Sequence, residues 1–246
     1  MQRYFIKEDL TNKQNLILSA NDFHHLKNVM RSKNGDEITC IDINGQVYFG
    51  MIDDIDQGLI KIIKKLDENN ELDVEVTLIY ALPKGDKFEL VLQKATELGV
   101  SRIVPLLTQR CVVKTDKTKF TKKITRYEKI LKEAAQQSRR NKIPQIVNVI
   151  KLNEISEYLG TYNLVAYEEK AKAGEHLVLK QCLDKLKAND KITIIVGSEG
   201  GFDQKEIELM ESMGISACSL GKRILRSETA PLYMLSIIGY VREISK

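Results

Sequence analysis

Ile192-Thr193-Ile194-Ile195-Val196 is an unbroken β-branched run that opens directly into Gly197-Ser198-Glu199-Gly200-Gly201-Phe202. A strand apolar at nearly every position is buried on both faces, the condition of a parallel sheet covered by helices. Asp203 and Glu206, at capping-box spacing, then start a helix. Strand, glycine-rich turn and helix in that order restrict this part of the chain to an α/β sheet. Further upstream the pattern predicts a strand at 74–81, a helix at 86–98 closed by Gly99, and a strand at 102–106, a β-α-β unit. A long helix comes next. It has Ile124, Tyr127, Leu131, Ala134 and Ser138 on one side, and Arg126, Lys129, Glu133, Gln136, Gln137 and Arg140 on the other. More strands are expected at 163–167 and 216–220, and a final helix at 231–244.

The first seventy residues have a different rhythm. They read as a short strand at 16–18, a helical stretch at 21–31, and strands at 37–43 and 46–52 joined by Asn44-Gly45. Asn-Gly between apolar runs predicts a type I′ hairpin, with positive φ at both residues. A second hairpin turns around Asp56-Gln57-Gly58 and returns through 59–66, and strands this short and close suggest a small β-barrel. The polar stretch 67–73 reads as a linker, giving domains at 1–72 and 73–246.

The 246 residues, 43% hydrophobic and 29% charged, suffice for two cores. No apolar run approaches a membrane span, and the charged start at 1–9 is not a signal peptide. The four cysteines form no CxxC pair, which fits a reduced, cytoplasmic protein without structural zinc. His24 and His25 are helix neighbours that cannot clamp one ion, and His176 stands alone, so no metal is expected. The net charge is +4, but 110–142 holds twelve Lys or Arg against three acids, a local +9. Charge alone reads equally as a polyanion-binding face or a solvated helix surface.

Two segments carry chemistry. The first is the glycine-rich turn, at the carboxyl end of a buried parallel strand, where α/β sheets admit ligands. It is neither the dinucleotide fingerprint nor the phosphate loop. Gly200 and Gly221 are each expected just past a strand because a ligand approaches the backbone there. The second segment is 219–231, in which Pro231 fits the first turn of a helix. The free amides near Thr229 and Ala230 are then expected to point into the space between the two loops. On residue pattern alone, the pair reads either as a cofactor pocket or as two tight βα connections.

Gly197-Ser198-Glu199-Gly200-Gly201-Phe202 together with Leu220-Gly221-Lys222-Arg223-Ile224-Leu225-Arg226-Ser227-Glu228-Thr229-Ala230 resembles the signature of the SPOUT methyltransferases. More narrowly, it is similar to the bacterial family that methylates N3 of a uridine in 16S ribosomal RNA. Arg3-Tyr4-Phe5, His24-His25-Leu26 with Val29-Met30-Arg31, 94–100, and 133–140 with Pro144 fit the same family. Ser198 departs from it, standing where the family usually has proline. The resemblance implies a PUA-like N-terminal barrel and a C-terminal α/β domain tied in a trefoil knot. It also implies S-adenosyl-L-methionine as methyl donor and a homodimer acting on 16S ribosomal RNA or the assembled small subunit.

Carried over residue by residue, the cofactor site comprises Tyr167, Gly197, Glu199, Gly200, Gly201, Leu220, Gly221, Ile224, Leu225, Arg226, Thr229 and Ala230. Candidate RNA contacts are Arg3, His25, Arg31, Lys122, Lys123, Arg126, Lys129, Arg139 and Arg140. Methylating uracil N3 requires its proton to leave. Glu199 and Glu228 are candidate bases, while Arg226 and Arg139 are candidate stabilisers of the anion. Each is equally suited to bracing its own loop in an ion pair. The alternatives are a non-catalytic RNA-binding protein, or an RNA methyltransferase of this fold with another target base.

Overall fold

The computed structural model describes residues 2–245, without the side chains of Ala171 and Lys172. The chain forms two compact units, Met1–Glu71 with Ala135–Lys142, and Leu72–Ala134 with Ile143–Lys246. Segment 135–142, which the sequence assigned to the second domain, is thus part of the first.

In the first unit, strands β1 (Gln2–Phe5), β2 (Asn15–Ile17), β3 (Glu37–Ile41), β4 (Val47–Asp54) and β5 (Leu59–Leu66) form a mixed sheet ordered β1-β3-β4-β5-β2. Strand β1, unforeseen from the sequence, runs parallel to β3 and sets Tyr4 beside Cys40. Register shifts between Phe49 and Gly50, and between Ile52 and Asp54, curl the β4–β5 ribbon. The curl closes over Tyr4, Leu26, Ile38, Cys40, Ile52 and Ile60, all buried. Helix α1 (Ala20–His24) is capped by Ser19 and widens into a π turn over His25–Val29.

The Asn44-Gly45 hairpin is not type I′. Gly45 has φ +77°, but Asn44 keeps the ordinary negative sign. The Gly45 amide donates to Asp42 O and the Asp42 amide to Gln46 O. This is the three-residue loop in which a left-handed glycine follows a tight turn. Asp42 decides it: its carboxylate accepts from the Asn44 and Gln46 amides at 2.8 and 2.9 Å.

Segment 135–142 is bound into this unit by buried polar groups. Glu71 pairs with Arg140 and accepts from the Asn141 amide at 2.9 Å. Asn141 Nδ2 donates to Gly45 O and Glu68 O. Arg3 pairs with Glu68 and donates to Arg139 O. Arg3 and Arg140 were expected to face RNA, but they are 6% and 3% exposed and committed to these internal bonds. Local sequence does not show which remote carboxylate or carbonyl a cation will meet.

The second unit is an α/β/α sandwich. Its strands are β6 (Glu75–Ala81), β7 (Arg102–Leu107), β8 (Gln145–Ile146), β9 (Ile150–Lys151), β10 (Tyr162–Ala166), β11 (Lys191–Val196) and β12 (Ser216–Cys218). All pairings are parallel, in the order β12-β10-β11-β6-β7-β8, with β9 also beside β7. Residues alternate between two cores, as the pleat demands. Ile192, Ile194 and Val196 point into one, Ile195 into the other. Helices α2 (Lys87–Glu97), α3 (Lys117–Gln137), α5 (Val178–Lys185) and α7 (Thr229–Gly239) cover the first core. There Phe88 meets the Tyr127 ring at 5.1 Å between centroids. Helix α6 (Gln204–Ser212) and a 3₁₀ segment (Leu152–Tyr158) cover the second. Short helix α4 (Glu168–Lys172), α5, β8 and β9 were not foreseen; each is too brief to print a period on the sequence.

Candidate functional site

Because β12, β10 and β11 are adjacent and parallel, the loops leaving their carboxyl ends emerge side by side. They surround a cleft of ≈ 880 Å³ within the second unit. Of the twelve residues expected to hold a cofactor, all but Thr229 line it. The sequence missed Lys87, Arg110, Phe202, Asp203 and Gln204, which line it too.

The glycine-rich turn is built to be rigid. The Gly201 amide donates to Ser198 O at 2.9 Å, and Gly201 has φ +63°. Asp203 and Glu206 form the expected capping box. Glu206 also accepts from the Gln109 amide at 2.8 Å, fastening the loop after β7 to the same helix end. Gly200 is glycine for a different reason from the one expected. A Cβ there would lie 2.9 Å from Arg110 Cβ and 3.0 Å from Arg110 O. The close approach is made by the protein's own loop, and Arg110 donates back to Gly200 O and pairs with Asp203. Gly221 differs: φ is +99° and the space at its Cβ position is open.

The second loop is held from below by Glu175. Its carboxylate accepts from the Leu177 and Val178 amides, at the start of α5, and from the Ser219 amide at 2.8 Å. Burial works against ionisation of Glu175, yet these amide donors hold its pKa below the usual carboxylate value. The amides of Thr229 and Ala230 are not free. Both donate to Arg226 O, at 2.9 and 3.0 Å, because the chain already turns helically before α7. The expectation that they face the cleft is corrected. Ile224 and the Arg226 side chain stand exposed beside the cleft, and Arg226 makes no side-chain hydrogen bond or ion pair among the described residues. The third wall is Tyr167, whose hydroxyl donates to Gln204 Oε1 at 3.0 Å.

Glu199 and Glu228 converge on one cation. Lys87 Nζ lies 2.9 Å from Glu199 Oε1 and 3.1 Å from Glu228 Oε2. Desolvation opposes ionisation of both carboxyls, but the Lys87 bonds, with backbone donors, outweigh it and leave each pKa lowered. Lys87, at the start of α2, gave no signal except position: it too comes after a strand end in this sheet. Ser198 is the other omission. Its hydroxyl is buried at the cleft wall with no hydrogen-bond partner among the described residues.

The candidate RNA contacts are distributed unevenly. Lys122, Lys123, Arg126 and Lys129 are exposed on α3. Arg126 pairs with Glu89 at 2.7 Å and Lys129 with Glu133 at 3.8 Å, while Lys122 and Lys123 have no ion pair among the described residues. Arg31 and Arg139 are exposed at positive φ, and His25, half-buried, has Nδ1 3.0 Å from the Tyr4 hydroxyl. Among the described residues no group of three or more His, Cys, Asp or Glu is disposed to hold a metal. None of their helices is long and apolar enough to cross a membrane.

Comparison with known proteins adds to this geometry. A family model described as RNA methyltransferase domain matches residues 70–239, and one described as RNA methyltransferase PUA domain matches 18–65. Ribosomal RNA small subunit methyltransferase E of Bacillus subtilis is 37% identical over 251 residues, covering 99% of this chain and 98% of that protein. The same-named protein of Mesomycoplasma hyopneumoniae is 34% identical, with 96% and 98% covered. Among solved structures, the Neisseria gonorrhoeae ribosomal RNA small subunit methyltransferase E bound to S-adenosyl methionine superposes with a TM-score of 0.84. It is 29% identical and covers 97% of this chain and 96% of that one. With both domains matched and the likeness running end to end, the chain belongs to the ribosomal RNA small subunit methyltransferase E family.

Proposed function

We propose that this chain transfers a methyl group from S-adenosyl-L-methionine to N3 of a uridine in 16S ribosomal RNA. The observation that carries the reading is the cleft itself, walled by three strand-end loops of one parallel sheet in a chain whose family acts on ribosomal RNA. The residues present fit the donor. The volume suits a nucleoside-sized ligand, Val196, Leu220, Leu225 and Ala230 give apolar wall, and the unsatisfied Ser198 hydroxyl is suited to a polar atom of the ligand. When bound, S-adenosyl-L-methionine supplies a methyl already activated on sulfonium, so the protein's work is alignment and handling of the N3 proton.

Lys87 makes Glu199 and Glu228 poor bases. A carboxylate below its ordinary pKa accepts a uracil proton only uphill, at about 1.4 kcal/mol per unit of mismatch. We therefore assign the stabilising role to Arg226, whose guanidinium, unpaired beside the cleft, is available to the anion spread over the uracil carbonyls as the N3 proton passes to solvent water. The first unit, matched by the PUA model, and exposed Lys122 and Lys123 serve as the RNA grip. A trefoil knot in the second unit is what membership of this family implies. A homodimer is supported by apolar side chains standing exposed on α7 and its continuation, Tyr233, Tyr240 and Ile244.

Incubation with small-subunit ribosomal RNA or subunits and the methyl donor should yield N3-methyluridine, read by nucleoside mass spectrometry. Methylation confined to ribose or guanine would sink this assignment. Affinity for RNA should also fall steeply with salt as phosphate contacts release counterions. Replacing Lys122 and Lys123 by glutamine should flatten the log–log slope by about 1 per lost phosphate contact. An unchanged slope returns this helix face to plain solvation.

A further inference from the structure

We propose that Lys87 is a positioning residue, a clasp whose single ammonium holds the two loops of the cofactor cleft at their working separation. The inference rests on the cleft being the methyl-donor site. Glu199 belongs to the glycine-rich turn after β11, and Glu228 to the end of the basic loop before α7. The two carboxylates meet through Lys87, which bonds each of them, at 2.9 and 3.1 Å. Lys87 itself starts α2, whose Phe88, Val91, Leu92 and Ala95 are buried in the core, so the clasp is anchored in the rigid sandwich. The α2 side supplies a second tie, because the Lys84 amide donates to Glu199 Oε1 at 3.3 Å.

The electrostatics give the clasp its consequence. Two carboxylates within hydrogen-bonding distance of one nitrogen repel each other once that nitrogen is gone. Glu199 then keeps the Lys84 amide as a donor to its charge, and Glu228 keeps the Ser227 hydroxyl at 3.2 Å. Repulsion drives the loops apart, and the cleft between them loses the spacing a ligand needs. A lysine that merely packed its stem would behave differently, because neutralising a carboxylate elsewhere would not compensate for its loss.

That difference sets the experiment, titration of S-adenosylhomocysteine into the full-length chain by calorimetry. Lys87→Met should weaken binding at least tenfold while melting cooperatively. Lys87→Arg should stay within about threefold of the parent. The double variant Lys87→Met/Glu228→Gln should recover most of the lost affinity, since one of the two repelling charges is gone. Should Lys87→Met melt early, Lys87→Gln, which keeps a polar end, carries the same expectation. Parental affinity in the charge-free variants, or a double variant no better than the single, overturns the clasp. Failure of the unaltered chain to bind would instead overturn the reading of the cleft.

Discussion

Glu71→Ala should destabilise the first unit by about 1–3 kcal/mol, the usual cost of leaving buried hydrogen-bonding groups unsatisfied. Glu71 and Arg140 have side chains only 14% and 4% exposed, and Glu71 also receives the Asn141 and Lys142 amides. Removing the carboxylate takes one partner from the guanidinium and leaves two backbone donors unsatisfied. The measurement is urea unfolding of the full chain, monitored by a probe in the first unit. Replacing both partners, Glu71→Leu with Arg140→Met, should cost less than the single change, because no charge is then left buried. A Glu71→Ala loss below about 1 kcal/mol, the range of exposed pairs, would show that water reaches Arg140 and that the segment is not bound as described.

Arg226→Ala should lower kcat by about 10²–10³-fold, the range found when one preorganised donor to a developing anion is removed. Cofactor affinity should change much less, since the guanidinium is assigned to the uracil and not to the methyl donor. Single-turnover methylation of small-subunit RNA, alongside calorimetry with S-adenosylhomocysteine, separates the two quantities. Arg226→Lys keeps the charge but not the planar fork, and should fall between parent and alanine. A kcat within threefold of the parent would remove Arg226 from the chemistry.

Features written as long, uniform patterns were legible in the sequence. Strand β11 is apolar or β-branched over 192–196, and the capping box at Asp203 and Glu206 is local, so both could be read directly. Strand β1 could not, because four residues beginning Gln2-Arg3 carry little period and their partner β3 lies more than thirty residues away. The glycine-rich turn was found, but the reason for Gly200 was not, since Arg110 approaches it from a distant loop. Lys87, Glu175 and the burial of Arg140 share that cause. Each is a polar side chain whose role depends on where a remote backbone amide or carboxylate comes to rest. Local spacing does not encode such meetings.

The discontinuity of the first unit has a consequence for biosynthesis. Its sheet is complete in sequence by Leu66, yet the bonds from Arg3 to Arg139 O, from Asn141 to Glu68 O and between Glu71 and Arg140 need residues 139–142. During translation the strands of the first unit therefore emerge first and remain without those bonds while residues 72–134 of the second unit are being made. N-terminal domains ordinarily fold ahead of later ones as the chain is synthesised. Here the order is constrained: the beginning of the chain cannot finish until the ribosome has passed residue 142.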